Sequence, residues 1–284
     1  MHYEHSAVRV WEGYMVTVVT VSLNAIDTIR DTLESVASQN KAYGIEHLCI
    51  DGGSADGTRQ CIQAHEQEHP NVRYIFEPDA GLFDAMNKGI QHARGQYVMF
   101  LNADDFLASP NAIADVFSDI PSGDSPDILV GRVIMGRLDR FGLYRMRFTP
   151  SWLTRYPHSG AHPPHQATFV KLALLRAVGG FNSVVRAASD TDTFYKLVRM
   201  TPRPTMQITS TIVSFMRAGG ESNAGLKEYR RGNFETYRLL CTMEPRVIAA
   251  LSVVVKMLQK VFEFRLGILR SHKWYWWQSP ATAR

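Results

Sequence analysis

Between residues 15 and 107 the chain alternates between apolar, strand-like runs and segments of helical period, and no other feature narrows the fold as far. MVTVVTVSL (Met15–Leu23) is β-branched and apolar without clean alternation, as expected of a parallel strand covered on both faces. Ile26, Ile29, Leu33 and Val36 then recur at helical spacing, with Asn24 and Asp27 available as caps and Asp31 in the early turns. EHLCID (Glu46–Asp51) is a second apolar strand, broken by Gly52 and Gly53, after which Ser54 and Asp56 are placed to cap a helix through Gln60 and Ile62. VRYIFE (Val72–Glu77) supplies a third strand, AMNKGIQHA a helix closed by Gly95, and QYVMFLN a fourth strand. The order βαβαβαβ predicts a mostly parallel central sheet flanked by helices. Beyond about residue 120 the pattern weakens into DILVG, a hairpin-like alternation in RVIMGRLDRFGLYRMRF, a Pro/His-rich loop YPHSGAHPPHQ and two further short helices.

Composition removes several classes. With 284 residues and 45% hydrophobic content the chain makes one large domain, or a domain with an extension. A net charge of +4 is too mild for nucleic-acid binding without a local basic stripe, so no nucleic acid is expected as a partner. Cys49, Cys61 and Cys241 are odd in number and follow no Cys/His ligand spacing, so neither a disulfide framework nor a zinc site is expected, and a reducing cytoplasm fits. The start MHYEHSAVRVWEGY lacks the pattern of a secretory signal, and no uncharged apolar stretch reaches the ~18 residues of a spanning helix.

In an open α/β sheet, ligands bind outside the carboxyl ends of the strands, and there the sequence puts Asn24, Asp51, Asp79 and Asn102 through Asp105. FLNADDFL (Phe100–Leu107) ends a strand in clustered carboxylates, which is costly without a cation. Carboxylate oxygens are hard ligands for Mg²⁺ or Mn²⁺, ions that take one or two carboxylates plus substrate phosphates. Each motif alone has a plainer account. The acid pair can cap the next turn, CIDGGSADGT can be a tight βα turn, and EPDAGLFDAMNKGI can be an amphipathic helix with Asp84, Asn87 and Lys88 on its solvated side. The Gly-rich turn is neither GxGxxG nor GxxxxGK[ST], which argues against dinucleotide-binding and NTPase readings.

In order along the chain, VTVVTVSLNAIDTIRDTLESVASQ, CIDGGSADGT, EPDAGLFDAMNKGI and FLNADDFL resemble the family 2 glycosyltransferases, inverting enzymes with the GT-A nucleotide-sugar-binding fold. The resemblance weakens but continues through HQATFVKLALLRAVGGFN and ASDTDTFYKL to about residue 222. It implies a GT-A domain over 1–222, with a nucleotide-binding half over about 13–120 and an acceptor-side half over about 121–222, followed by a helical C-terminal extension over 223–284. Carried over by residue, Asp51 meets the base of a UDP- or GDP-like donor with Asn24 nearby, and Asp79 and Asn87 line the same pocket. Asp104 matches the metal-binding last acid of the family's DxD, so a divalent metal, Mn²⁺ or Mg²⁺, is the implied cofactor.

The first acid of that motif is replaced by Asn102, which can accept from a ribose hydroxyl or bind metal through its amide oxygen, and Asp105 offers a second charge. Gly52 stands where many relatives carry another Asp, so a less acidic base pocket is expected. Inverting transfer needs a general base, and Asp190 matches the acid the family uses, with Asp192 on a different face. Taken without the resemblance, both acids merely favour a helix N-terminus. His165 and Gln166 lie in a loop that borders acceptor and donor sugar in similar sequences. FMRAGGESN resembles the family's flexible segment after the last core strand, its glycines able to close over the diphosphate and Arg217 offering charge.

From Lys256 onward, Lys256, Lys260, Arg265, Arg270, Lys273 and Arg284 face the single acid Glu263, and HKWYWWQ sets Trp274, Trp276 and Trp277 among them. Such a tail either lies on an anionic membrane surface or packs back on the core as a helix or dimer contact, and the sequence weighs the two evenly. The expected protein is cytoplasmic, or peripheral on the inner face of the plasma membrane where the tail binds lipid. It moves a sugar from a nucleotide-diphosphate sugar donor to a glycan or lipid-linked glycan acceptor in exopolysaccharide, capsule or O-antigen assembly. One rival is a nucleotidyltransferase, which calls for a Gly-rich, basic phosphate loop near the first strand, where this chain has SLNAIDTIR. The other is a catalytically impaired nucleotide- or glycan-binding module, kept in view by Asn102.

Overall fold

The computed structural model describes residues 14–40, 43–121, 124–136, 144–147, 162–185, 188–217, 226–266 and 268–269. Four strands, β1 (Val16–Ser22), β2 (Ile45–Asp51), β3 (Val72–Phe76) and β4 (Tyr97–Phe100), run parallel in the order β3-β2-β1-β4. They are joined by α1 (Ile29–Ala37), α2 (Thr58–Glu68) and α3 (Leu82–His92). Every residue of β1 and β2 is buried, which is why their apolar runs show no alternation. Ser22 is in register with Asp51, and Asp51 with Phe76, so the polar residues that follow these strands emerge along one edge.

Side chains alternate between two cores. Val16 and Val18 join Ile113, Phe117 and Phe169 on one face, and Val19 and Val21 join Met86, Ile90 and Phe181 on the other. Helix α3 lies tight on β1 because residue 89 is glycine: a Cβ there would come within 2.4 Å of Val19 Cγ1. The helix starts differ from the sequence expectation. Neither Asn24 nor Asp27 caps α1, which begins at Ile29 after a turn in which its N–H bonds the Ala25 carbonyl (2.8 Å). At α2 only Asp56 acts near the start, accepting from the Thr58 N–H (3.0 Å), while the Ser54 hydroxyl is engaged by Asn24.

The second half adds β5 (Phe106–Leu107), α4 (Ala112–Ser118), β6 (Ile128–Gly136), β7 (Tyr144–Arg147), β8 (Thr168–Lys171), α5 (Leu172–Ala177), α6 (Ser189–Val198) and β9 (Met206–Arg217). β6 and β7 form the antiparallel pair foreseen from their alternation. β8 is inserted antiparallel between β4 and β6, and β9 runs parallel to β6 while pairing antiparallel with β5. Helices α7 (Leu226–Leu240) and α8 (Arg246–Leu266) then lead to β10 (Ile268–Leu269), which adds antiparallel to β7. Tyr195 of α6, Leu240 of α7 and Ala249 of α8 share one buried cluster, so the extension is docked on the core.

All three cysteines are free thiols. Among the described residues no helix is long and apolar enough to cross a membrane. Lys273, Trp274, Trp276 and Trp277, the glycines 219–220, the boundary at 222–223 and the loop over 148–161 lie outside the described residues.

Candidate active site

The crevice begins where β2 ends. Asp51 is fully buried: its Oδ1 accepts the N–H groups of Gly53 (2.9 Å) and Ser54 (2.7 Å), and its Oδ2 accepts the Ser22 hydroxyl (3.1 Å). A carboxylate so engaged builds the pocket wall and fixes the turn. Asn24, exposed after β1 with φ 49°, is fastened to that turn: its N–H donates to Ser54 Oγ (2.8 Å) and its Oδ1 accepts from Ala55 N–H (2.9 Å). The Ile26 N–H adds a bond to Asp56 Oδ2 (3.1 Å), so the loops after β1 and β2 move as one piece.

Asp79 follows β3, and its Oδ1 accepts from Gly81 N–H (2.9 Å). A Cβ placed on Gly52 would lie 2.0 Å from Asp79 Oδ2, so this carboxylate fills the volume that a side chain at 52 would need. The space a side chain at 52 would take is filled by the acid of the next loop, which the sequence reading already places in this pocket. Leu23 and Phe76 are exposed at strand ends, and the Arg59 guanidinium stands 4.3 Å over the Phe76 ring. Sequence reasoning passed over this apolar rim; its signal was a large apolar residue at the last position of a strand.

After β4 the chain turns through Asn102, Ala103, Asp104 and Asp105, held by a bond from Asp105 N–H to Asn102 O (3.0 Å). From α1 the Thr32 hydroxyl reaches the carbonyls of Ala103 (3.0 Å) and Asp105 (2.6 Å). The two carboxyl groups then part in role. Asp105 is only 2% exposed; its Oδ1 faces Arg217 N–H (3.1 Å), and its Oδ2 faces the amides of Gln166 (3.2 Å) and Asn102 (3.3 Å). Burial, reinforced by the Asp104 carboxylate beside it, pushes its pKa up to about 8. Burial therefore favours the neutral form of Asp105 in the cation-free protein, and the residue brackets three segments together, where the sequence reading has it offer a second charge to a cation.

Asp104 keeps part of its surface, and burial raises its pKa as well, with Arg217 pulling the other way. Asn102 Oδ1 is buried without a hydrogen-bond partner. A carboxylate that resists ionisation and, two residues before it in the same turn, an orphaned amide oxygen are hard donors of the kind a divalent cation takes. Among the described residues no three His, Cys, Asp or Glu side chains gather closely enough to hold a metal by themselves. The residues present thus fit an ion whose remaining ligands come from phosphate and water.

The segment 162–167 joins this cluster to the second candidate centre. On one side Gln166 bonds Asp105; on the other His162 Nε2 lies 3.6 Å from Asp190 Oδ2, at the start of α6. The same Asp190 accepts from Thr191 N–H (2.7 Å) through Oδ1. Burial opposes its charge, yet His162, Lys256 and His165 together hold the carboxyl below the usual carboxylate range. Lys256 comes from α8, with Nζ 3.0 Å from Thr236 Oγ1 and 3.5 Å from Thr191 Oγ1. Sequence reasoning counted Lys256 only as tail charge and did not single out His162.

Four sequence candidates are occupied with other work. Asn87 donates to the Phe181 carbonyl (2.8 Å) and accepts the Phe181 N–H (2.8 Å), tying α3 to the segment before α6 instead of facing a nucleotide. Gln166 is buried on Asp105, and Asp192 is buried with Lys196 Nζ at 2.8 Å. Arg217 forms an ion pair with Asp31 of α1 and lies beside the Phe106 ring, so its charge is already matched within the fold. Lys88, expected on a solvated face, is buried with Nζ on the Pro78 carbonyl (2.7 Å), where it orders the loop that carries Asp79.

The sequence profile of Glycosyl transferase family 2 matches residues 17–171, more than half of the chain. The chain belongs to this family. It is 35% identical over 177 residues to an uncharacterized glycosyltransferase of Mycobacterium tuberculosis, a match covering 62% of this chain and 65% of that protein, just under two thirds of its length. A PGL/p-HBAD biosynthesis glycosyltransferase of Mycobacterium bovis is 28% identical over 218 residues, 74% of this chain and 79% of that one. Among solved structures, S. aureus TarS 1–349 in complex with UDP-GlcNAc superposes with a TM-score of 0.61 at 16% identity, covering 89% of this chain and 73% of that one. The Pyrobaculum calidifontis mannosyltransferase in complex with GDP-Man and Mn²⁺ gives 0.59 at 17% identity, covering 91% and 77%. At these identities the likeness establishes the fold, which is the GT-A fold expected from the four motifs.

Proposed function

We propose that this family 2 protein is an inverting glycosyltransferase that moves a sugar from a nucleotide-diphosphate donor to a glycan or lipid-linked glycan acceptor in surface-polysaccharide assembly. The observation that carries the reading is the pairing of Asp104 with the unsatisfied Asn102 Oδ1 at the end of β4, opposite in chemistry to the ionised Asp190 across the 162–167 segment. Asn24 and Asp79 offer polar edges to the base and ribose, Asp51 holds the turn between them, and Leu23 and Phe76 offer an apolar rim.

A divalent cation, Mn²⁺ or Mg²⁺, held by Asp104 and Asn102 would offset the charge of the leaving diphosphate. For the transfer itself, Asp190 takes the proton of the acceptor hydroxyl as that oxygen attacks the anomeric carbon from the face opposite the diphosphate. The new glycosidic bond forms, the bond from the anomeric carbon to the diphosphate oxygen breaks, and the nucleoside diphosphate leaves with the electron pair. Attack from the opposite face inverts the anomeric centre. His162 and Lys256 keep Asp190 ionised before the acceptor arrives. The relatives' printed roles and the solved complexes with UDP-GlcNAc and with GDP-Man and Mn²⁺ support a nucleotide-sugar donor, and we place the protein in the cytoplasm, at the inner face of the plasma membrane.

The reading is tested by Asp190→Asn and Asp104→Ala, assayed for transfer from UDP- and GDP-sugars to extracted glycolipid and glycan acceptors. Asp190→Asn is expected to lose turnover with donor affinity intact, and Asp104→Ala to lose turnover and bind donor more weakly. Near-normal turnover in either variant would remove the role given to that residue.

A further inference from the structure

Helix α8 is built the wrong way round for a helix that meets water. Its outer side carries Val247, Ile248, Leu251, Val254, Met257 and Leu258, all exposed, with Val247 at 72%, Leu251 at 60% and Leu258 at 61%. Its protein-facing side carries Ala249 and Ser252, both buried, and Lys256, which bonds Thr236 and Thr191. A surface helix normally buries its apolar stripe and shows its polar side, so an exposed aliphatic face of this size calls for a cover.

We propose that this outer face of α8 seats on the surface of an anionic lipid bilayer. At 3.6 residues per turn the exposed aliphatics from Met257 round to Ile248 cover about half the helix circumference, wider than the narrow a/d seam of a two-helix contact. The neighbouring helix and the sequence that follows are rich in cations, which suits anionic headgroups. Helix α7, the partner of α8 in the same hairpin, exposes Arg230, Arg231 and Arg238 with Phe234 among them. Beyond Leu258 the sequence holds five cations against one acid. An aliphatic face, flanking cations and too little apolar length to span are the marks of a helix that lies in the interface.

Through Lys256 and the cluster of Tyr195, Leu240 and Ala249, the opposite side of α8 touches α6, whose first turn carries Asp190. A docked α8 therefore brings the candidate base to the membrane, which selects lipid-linked acceptors over soluble ones. That choice of acceptor rests on the transferase reading; the docking does not.

The test uses the full chain and sedimentation with vesicles of phosphatidylcholine, with and without phosphatidylglycerol, alongside light scattering and calorimetric binding of UDP and GDP. The protein is expected to bind the phosphatidylglycerol vesicles, less so at high salt. The double variant Leu251→Asp, Leu258→Asp is expected to lose at least roughly tenfold in partitioning, with its thermal unfolding and nucleotide binding unchanged. Equal binding by the variant, or no binding by the wild type, overturns the proposal. So does a wild-type dimer that the same substitutions split into monomers, which would assign the face to a second copy. Vesicle binding without nucleotide binding would instead count against the transferase reading alone.

Discussion

Replacing Asp105 by Asn separates a neutral bracket from a charged ligand. Its carboxyl group is nearly inaccessible and faces three N–H donors, and burial lifts its pKa to about 8. Because the folded pKa lies above the unfolded value of about 3.9, the stabilisation is complete below the unfolded pKa and is lost as pH rises through about 8. Integrated from about pH 6 to 9, that loss is about 3 kcal/mol, or on the order of 6 °C in Tm. Asn keeps the shape and carries no titrating proton, so the stability of Asp105→Asn relative to the wild type is expected to rise by about 3 kcal/mol between pH 6 and pH 9. Denaturant unfolding in EDTA at both pH values measures this, since a cation on Asp104 would favour the ionised form. A variant less stable by the same amount at both pH values would show that Asp105 is ionised and that its three donors stabilise a charge.

Three further outcomes are expected. Lys256→Met removes one of the cations that hold Asp190 below the usual carboxylate range, so the acid limb of the kcat/KM profile moves to higher pH while nucleotide affinity stays put; an unmoved limb refutes the coupling. Gly52→Asp sets a second carboxylate against Asp79, whose Oδ2 already fills that space, and calorimetry is expected to show weaker nucleotide binding; tighter binding would mean that Asp79 swings away freely. Arg217→Met removes the ion pair to Asp31 and costs about 2 kcal/mol in denaturant unfolding, with nucleotide affinity intact, whereas a selective loss of affinity would return Arg217 to the diphosphate.

The nucleotide-side half of the fold was legible because each strand there is followed by its own helix, and two-sided burial of β1 and β2 leaves an unbroken apolar run. β9 was not, since it has no helix of its own and pairs with β5 and β6, strands far from it in sequence. The candidate site divides along similar lines. Asp104 and Asp190 stand at the ends of periodic elements, where spacing exposes them. Asp105, Gln166 and Arg217 read equally well as ligands or as struts, because only the fold shows that they bond one another. His162 and Lys256 gain their meaning from Asp190, to which they come from separate segments. The inverted face of α8 was hidden for the same reason: an apolar stripe in sequence does not say which side meets the core.

The most direct measurement is a calorimetric titration of the full chain with UDP, GDP and dTDP, with and without Mn²⁺, repeated on Asp104→Ala. The account predicts that one nucleotide binds, that Mn²⁺ tightens it, and that Asp104→Ala removes the effect of Mn²⁺ while leaving a weaker, metal-free interaction through the β1 and β2 loops. Binding of none of the three, or a response to Mn²⁺ that survives in Asp104→Ala, would contradict it.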